Sequence, residues 1–424
     1  MSLDRRDALK AGAALALSSL LPACATPLRT PPTGRVVVVG AGWGGATTAR
    51  YLRRWAPSVE VTVVEPARAF VSCPQSNLVL SGGRNLASLT LDYGRWAADN
   101  GIRLVRDTVR DIDPERRRVQ LAGGGQLEYD RLVLSPGVDF DYAAVPGLEG
   151  EAAQARVPHA WKAGPQTAAL RARLEAMPDG GVFVMTIPAA PYRCPPGPYE
   201  RASLVATYLA RHKPRAKLIV LDANPDIISK KGLFRAAWRE LYPTLIEYRP
   251  SNAVLQVDTD RLTVRSEFED LRADVLNVIP PQRAGDIARR AGALGEGERW
   301  ARVNFIDYRA ERVDGIHVIG DATLSTPAPK SGHVANQQGK VLAAALADHF
   351  AGRDPYRDPV LSNTCYSFVS NDEAFNVAAV YRVAEGGKGL RLADGSSGVS
   401  QARSSEEAAL ARAWATNIWS DMLG

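Results

Sequence analysis

The run Arg35-Val36-Val37-Val38-Val39 leads without a break into Gly40-Ala41-Gly42-Trp43-Gly44-Gly45. That junction restricts the fold more than any other part of the chain. A continuous β-branched stretch suits a strand buried on both faces of a parallel sheet. The glycines then follow at G-x-G-x-x-G spacing: Gly40 for the tight turn, Gly42 for close approach of backbone to a pyrophosphate, Gly45 for close packing of the helix. The helix that opens there offers free N–H groups and a partial positive charge to phosphate. A second strand, Val59 to Val64, ends on Glu65, placed to accept hydrogen bonds from ribose hydroxyls. The glycine pattern alone is weak. Strand, loop, helix, second strand and acidic end in the correct order are much stronger.

At 424 residues the chain is too long for one simple core, so two or three domains are expected. Later segments repeat the same style. Tyr129 to Gly137 reads as a strand running into a tight turn, and Gly180–Met185 with Ala216–Asp222 reads as a second βαβ unit. Two short strands follow, over 273–279 and 315–321. The turn Ser135-Pro136-Gly137 and the late Gly320-Asp321-Ala322 fit a two-domain flavoprotein, with Asp321 meeting the ribityl–pyrophosphate region of FAD. Lys330 opens the next helix, where it is expected to aim a cation at the flavin pyrimidine and favour a reduced, anionic flavin.

The second βαβ unit discriminates between cofactors. A nicotinamide site needs a glycine-rich first loop, and here that loop is Ile187-Pro188-Ala189-Ala190-Pro191-Tyr192-Arg193-Cys194-Pro195-Pro196. Prolines and a cysteine stand where backbone must approach phosphate. Asp222 ends the following strand without a cradle beside it. Nicotinamide is therefore not expected, and the electrons must come from another donor.

Three cysteines follow residue 25: Cys73, Cys194 and Cys365. One near a flavin, with two others able to pair, suggests electrons passing through a disulfide. Buried, inert thiols are the plain alternative. No C-x-x-C-H haem motif occurs and no metal site is read. The net charge is +6 with basic residues scattered, so nucleic acid is not an expected partner. Arg5-Arg6 before the apolar run Ala11–Leu21, then Ala23-Cys24-Ala25, looks like a twin-arginine export signal. A lipoprotein box at Cys24 is a weaker reading. The apolar run is too short to span a bilayer, and the expected destination is the periplasm. Near the C-terminus, Leu410, Trp414, Ile418 and Met422 form an apolar helical stripe expected to dock on the protein's own body.

Pro158–Gly164, Pro191–Ser203, Ile279–Gly285, Gly315–Ala322, Pro329–Lys340 and Asn363-Thr364-Cys365-Tyr366-Ser367 together resemble the flavoprotein subunit of flavocytochrome c sulfide dehydrogenase. The resemblance extends over essentially the whole chain beyond the signal. It implies an α/β fold of two Rossmann-like, glutathione-reductase-like domains plus a C-terminal α+β domain. The expected division is a signal over 1–25, a linker over 26–33, FAD-binding parts over 34–150 and 273–345, a second domain over 151–272, and an interface domain over 346–424. Cys73 would carry FAD covalently, Cys194 and Cys365 would form the redox disulfide, and Glu200 would act as acid or base beside it. The substrate would be hydrosulfide, a small inorganic sulfur species, and the partner a c-type cytochrome subunit. A sulfide:quinone oxidoreductase and a non-catalytic flavoprotein partner of a sulfur-carrier complex are the alternatives.

Overall fold

The computed structural model describes residues 33–424. The export signal expected over 1–25, Cys24 and most of the linker lie outside the described residues. In chain order, the strands of the two large sheets are β1 (Gly34–Val39), β2 (Val59–Val64), β3 (Arg103–Val105), β4 (Arg131–Leu134), β5 (Val182–Ile187), β6 (Lys217–Asp222), β7 (Ile246–Arg249), β8 (Val275–Val278) and β9 (Ile316–Val318). The first sheet runs β9-β4-β1-β2-β3 and is parallel throughout. Val36, Val37 and Val38 are each at most 2% exposed, as a strand covered on both faces requires.

The second sheet runs β7-β6-β5-β8, also parallel. Here one expectation needs correction. A domain boundary between residues 272 and 273 would assign β8 to the first domain. Phe183 to Thr186 instead pair with Val275 to Val278, so the chain returns to the first sheet only after β8. A short apolar run does not reveal which of two similar sheets it joins.

The helices that shape the site are α1 (Trp43–Trp55), α2 (Asn77–Ser81), α3 (Gly197–His212), α4 (Lys231–Leu241), α5 (Gly332–Phe350) and α6 (Ser405–Leu423). α1 and α5 cross closely. A Cβ on Gly339 would lie 2.6 Å from the Gly44 carbonyl oxygen, so no side chain fits there. The C-terminal part is an antiparallel sheet, β10 (Val360–Phe368), β11 (Ala374–Val383) and β12 (Leu390–Leu392). α6 packs on the body through Ala408, Ala411, Ala415, Ile418, Trp419 and Met422, while Leu410 is 48% exposed. A strict four-residue spacing overshoots the 3.6-residue turn, so the expected stripe drifts off the buried face at its N-terminal end.

Candidate active site

The glycine loop between β1 and α1 is held from both sides. Gly40 has φ +92°, and a Cβ there would lie 2.5 Å from the Ser135 carbonyl oxygen. A Cβ on Gly45 would come within 1.9 Å of the Gly40 oxygen. Gly42 differs, because a Cβ there meets nothing within 4 Å. Its missing side chain leaves room for a ligand rather than for the protein. Glu65 accepts from the Ala41 N–H and the Ala67 N–H, both at 2.9 Å, which fixes the carboxylate beside the loop.

Gly40, Gly42, Glu65 and Ser135 line a cavity of about 830 Å³, within the usual range for ligand sites. Asp321 lines it too, with one carboxylate oxygen buried and without a hydrogen-bond partner. Burial raises its pKa, opposed by the charges of Arg193 and Lys330. An orphaned buried acceptor beside an empty-sided glycine and a helix N-terminus fits a dinucleotide with ribityl or ribose hydroxyls.

Lys330 does not aim at the cavity as expected. Its ammonium donates to the carbonyls of Asp321 at 2.9 Å and Thr323 at 2.6 Å, and lies 3.6 Å from the Trp300 ring centroid. The side chain is drawn back by these acceptors and braces the Asp321 turn. Burial brings its pKa down to about 7. The part of this segment that does face the cavity is Ser331, which caps the Val334 N–H at 3.1 Å, followed by Gly332, His333 and Ala335 of α5.

All three cysteines line this cavity. Cys73 accepts from the Ala163 N–H at 3.4 Å. Cys194 sits in a left-handed turn, φ 58°, with its N–H on the Lys330 carbonyl at 2.8 Å. Cys365 lies on β10 and accepts from Asn363 at 3.3 Å. The implied Cys194–Cys365 disulfide is not formed here; all three are free thiols. The fold brings both residues to one cavity, and a thiolate on Cys365 would raise the pKa of Cys194 further. Burial pushes both thiols up, Cys365 being drawn partly back by Lys230 and by the Asn363 hydrogen bond.

Glu200, in the first turn of α3, also lines the cavity, and it is not the exposed helix-start residue that Gly-Pro-Tyr-Glu spacing alone allows. It is 8% exposed and accepts from the Phe368 N–H at 2.9 Å and from Asn77 at 2.8 Å. Burial raises its pKa against those two donors. A buried carboxyl whose pKa is raised keeps its proton to higher pH than an exposed one.

Two cations near the site carry no sequence motif. Arg201 is 2% exposed and donates to Asn77, His159, Ala160 and Asn277, with its guanidinium 4.7 Å from the Trp161 ring. Lys230 donates to the Cys365 carbonyl and the Ser367 hydroxyl, each at 2.7 Å. Arg201 follows Glu200 within the cysteine segment, which is its one signal. Lys230 sits in Ser229-Lys230-Lys231-Gly232, where nothing marks it.

The second domain explains the missing nicotinamide cradle. Asp222 is fully buried and accepts four hydrogen bonds, from Tyr199, Tyr248 and the backbone and side chain of Asn224. No lone pair remains to bind a ribose.

The family model "sulfide dehydrogenase (flavocytochrome c) flavoprotein chain, central" matches residues 167–280. "Flavocytochrome c sulphide dehydrogenase, flavin-binding" matches 357–423, and "pyridine nucleotide-disulphide oxidoreductase" matches 34–170. The sulfide dehydrogenase (flavocytochrome c) flavoprotein chain of Chlorobaculum thiosulfatiphilum is 66% identical over 47 residues, which are 11% of this chain and 98% of that one. The mitochondrial sulfide:quinone oxidoreductase of Mus musculus is 25% identical over 327 residues, 72% of this chain and 69% of that one. In fold, the solved sulfide:quinone oxidoreductase from Aquifex aeolicus superposes with a TM-score of 0.75 at 18% identity, covering 92% and 91% of the two chains.

Proposed function

Because this chain belongs to the flavoprotein family of flavocytochrome c sulfide dehydrogenase, we propose that it oxidises hydrosulfide to zero-valent sulfur with FAD and passes the electrons to a separate c-type cytochrome. The observation that carries this reading is the convergence of Cys194, Cys365 and the buried Glu200 on a cavity that also contains the glycine loop and the orphaned Asp321 oxygen. The saturated Asp222 argues against a nicotinamide donor.

Bound FAD would accept electrons in a pair and release them singly to a haem. Gly42 and the N-terminus of α1 would hold its pyrophosphate, Glu65 a ribose and Asp321 the ribityl chain. Cys73 would tether it through a thioether. In the oxidised enzyme Cys194 and Cys365 form a disulfide, which hydrosulfide opens by thiol–disulfide exchange. Glu200 holds a proton beside the pair and returns it when the sulfur product leaves. The protein works in the periplasm, after twin-arginine export. No helix among the described residues is long and apolar enough to cross a membrane.

Sulfide-dependent reduction of a c-type cytochrome by the purified, FAD-loaded chain tests the assignment. Reduction of a soluble quinone with no reduction of cytochrome would move the chain to the quinone-linked class. Flavin mass that survives acid denaturation in the wild type, and is lost in Cys73→Ser, is the result expected for covalent attachment. Flavin that washes off the wild type would refute the tether alone.

A further inference from the structure

Lys230 is a part-buried ammonium with no carboxylate at ion-pair distance among the described residues. It precedes α4 in a left-handed conformation, φ 54° and ψ 35°, which takes it out of the helix that follows. Its Nζ is fixed against the Cys365 strand by the Cys365 carbonyl, the Ser367 hydroxyl and the Phe375 ring, whose centroid is 5.4 Å away. The charged groups that act on it are Cys365, then Glu200 from α3, Cys194 from the proline-rich loop, and Glu407 from α6.

The two cysteines are not treated alike. The Cys365 sulfur has Asn363 as a donor at 3.3 Å and Lys230 pinned to its own carbonyl. Among the described residues no hydrogen bond reaches the Cys194 sulfur. Burial raises both thiols, but Lys230 is the leading influence that opposes it at Cys365, whereas at Cys194 that influence is Arg193.

We propose that Lys230 directs opening of the disulfide, making Cys365 the leaving sulfur and Cys194 the carrier of the incoming one. This rests on the reading of the pair as a redox disulfide. Hydrosulfide forms a bond to the Cys194 sulfur, the Cys194–Cys365 bond breaks, and its electron pair departs on Cys365. One negative charge enters with hydrosulfide and one remains on the Cys365 thiolate, while Cys194 holds a persulfide. Exchange is faster when the departing thiolate is the better stabilised one, and an adjacent ammonium and amide donor provide that stabilisation. Lys230 acts through Cys365 and is a positioning residue.

The FAD-loaded full chain is first digested without reductant to find a Cys194–Cys365 linked peptide. It is then mixed anaerobically with one equivalent of sulfide, quenched rapidly in denaturant with excess alkylating agent, and mapped by peptide mass. The extra sulfur is expected on the Cys194 peptide in roughly tenfold excess, the discrimination of one charge-assisted contact. Lys230→Met is expected to bring the ratio towards one and to slow opening roughly tenfold, while Lys230→Arg retains the bias. Extra sulfur mainly on Cys365 in the wild type, or an unchanged ratio in Lys230→Met, would overturn the inference. Absence of the linked peptide would overturn both it and the disulfide reading. The wild-type map decides the matter even where Lys230→Met does not fold.

Discussion

Replacing Arg201 by methionine keeps the length of the side chain and removes every donor at its end. Four acceptors lose a partner: the side-chain oxygens of Asn77 and Asn277 and the carbonyls of His159 and Ala160. The His159 carbonyl keeps a second donor, the Asn277 amide at 3.1 Å, so three acceptors are left unpaired. Each buried unpaired acceptor costs about 1–3 kcal/mol. Relief from burying a guanidinium offsets part of that sum, and the stack on Trp161 forfeits about 1 kcal/mol. The net loss is expected at about 3–5 kcal/mol, a large share of ordinary domain stability. Urea unfolding followed by tryptophan fluorescence reads it, because Trp161 lies against the substituted group. The same variant is expected to release flavin faster, since Trp161–Gly164 forms a wall of the cavity. A loss under about 1 kcal/mol would refute the claim that Arg201 organises this wall.

The two glycines of the loop are expected to fail in different ways. Gly42→Ala, with nothing within 4 Å of the added methyl, leaves the thermal midpoint of the flavin-free protein unchanged but weakens flavin binding. Gly45→Ala forces the methyl against the Gly40 carbonyl and lowers the midpoint of the flavin-free protein itself, by roughly 1–3 kcal/mol in stability. Equal midpoints for the two variants would contradict this. Glu200→Gln tests the buried carboxyl. Its folded pKa is raised above the ordinary 4.5, so its contribution to stability is full below pH 4.5 and is lost as pH rises through the folded value. The variant should therefore gain on wild type from acid to neutral pH, read by thermal melts across that range. Parallel curves would show that Glu200 titrates normally.

The first domain was legible because its signals are local. The valine run, the glycine spacing and Glu65 lie within one βαβ unit, and their order along the chain was enough to read it, although the close approach to Gly40 comes from Ser135 far downstream. Asp321 was singled out from its place after a short strand, and the structure puts it on the cavity with one carboxylate oxygen unpaired. Lys330 was not, because whether a lysine reaches forward to a ligand or back to carbonyls depends on where those carbonyls lie, and Trp300 and Thr323 belong to other segments. β8 was assigned to the wrong sheet for a similar reason: its ladder partner lies about ninety residues earlier. Lys230 was invisible, and Arg201 had only its place beside Glu200 to mark it, for the opposite reason to the glycines. Their roles come from long-range contacts to Cys365 and to Asn277, which leave no periodicity and no spacing.

The most direct test of the account is an anaerobic titration of the FAD-loaded protein with sulfide and, separately, with NADH and NADPH, followed by loss of the oxidised flavin absorbance. The account predicts that one equivalent of sulfide per site bleaches the flavin, its two electrons passing through the Cys194–Cys365 pair so that the opened thiolate and persulfide form before the bleaching and are re-oxidised by it, and that neither nicotinamide does so. A flavin that stays oxidised under sulfide and is reduced by a nicotinamide would contradict it.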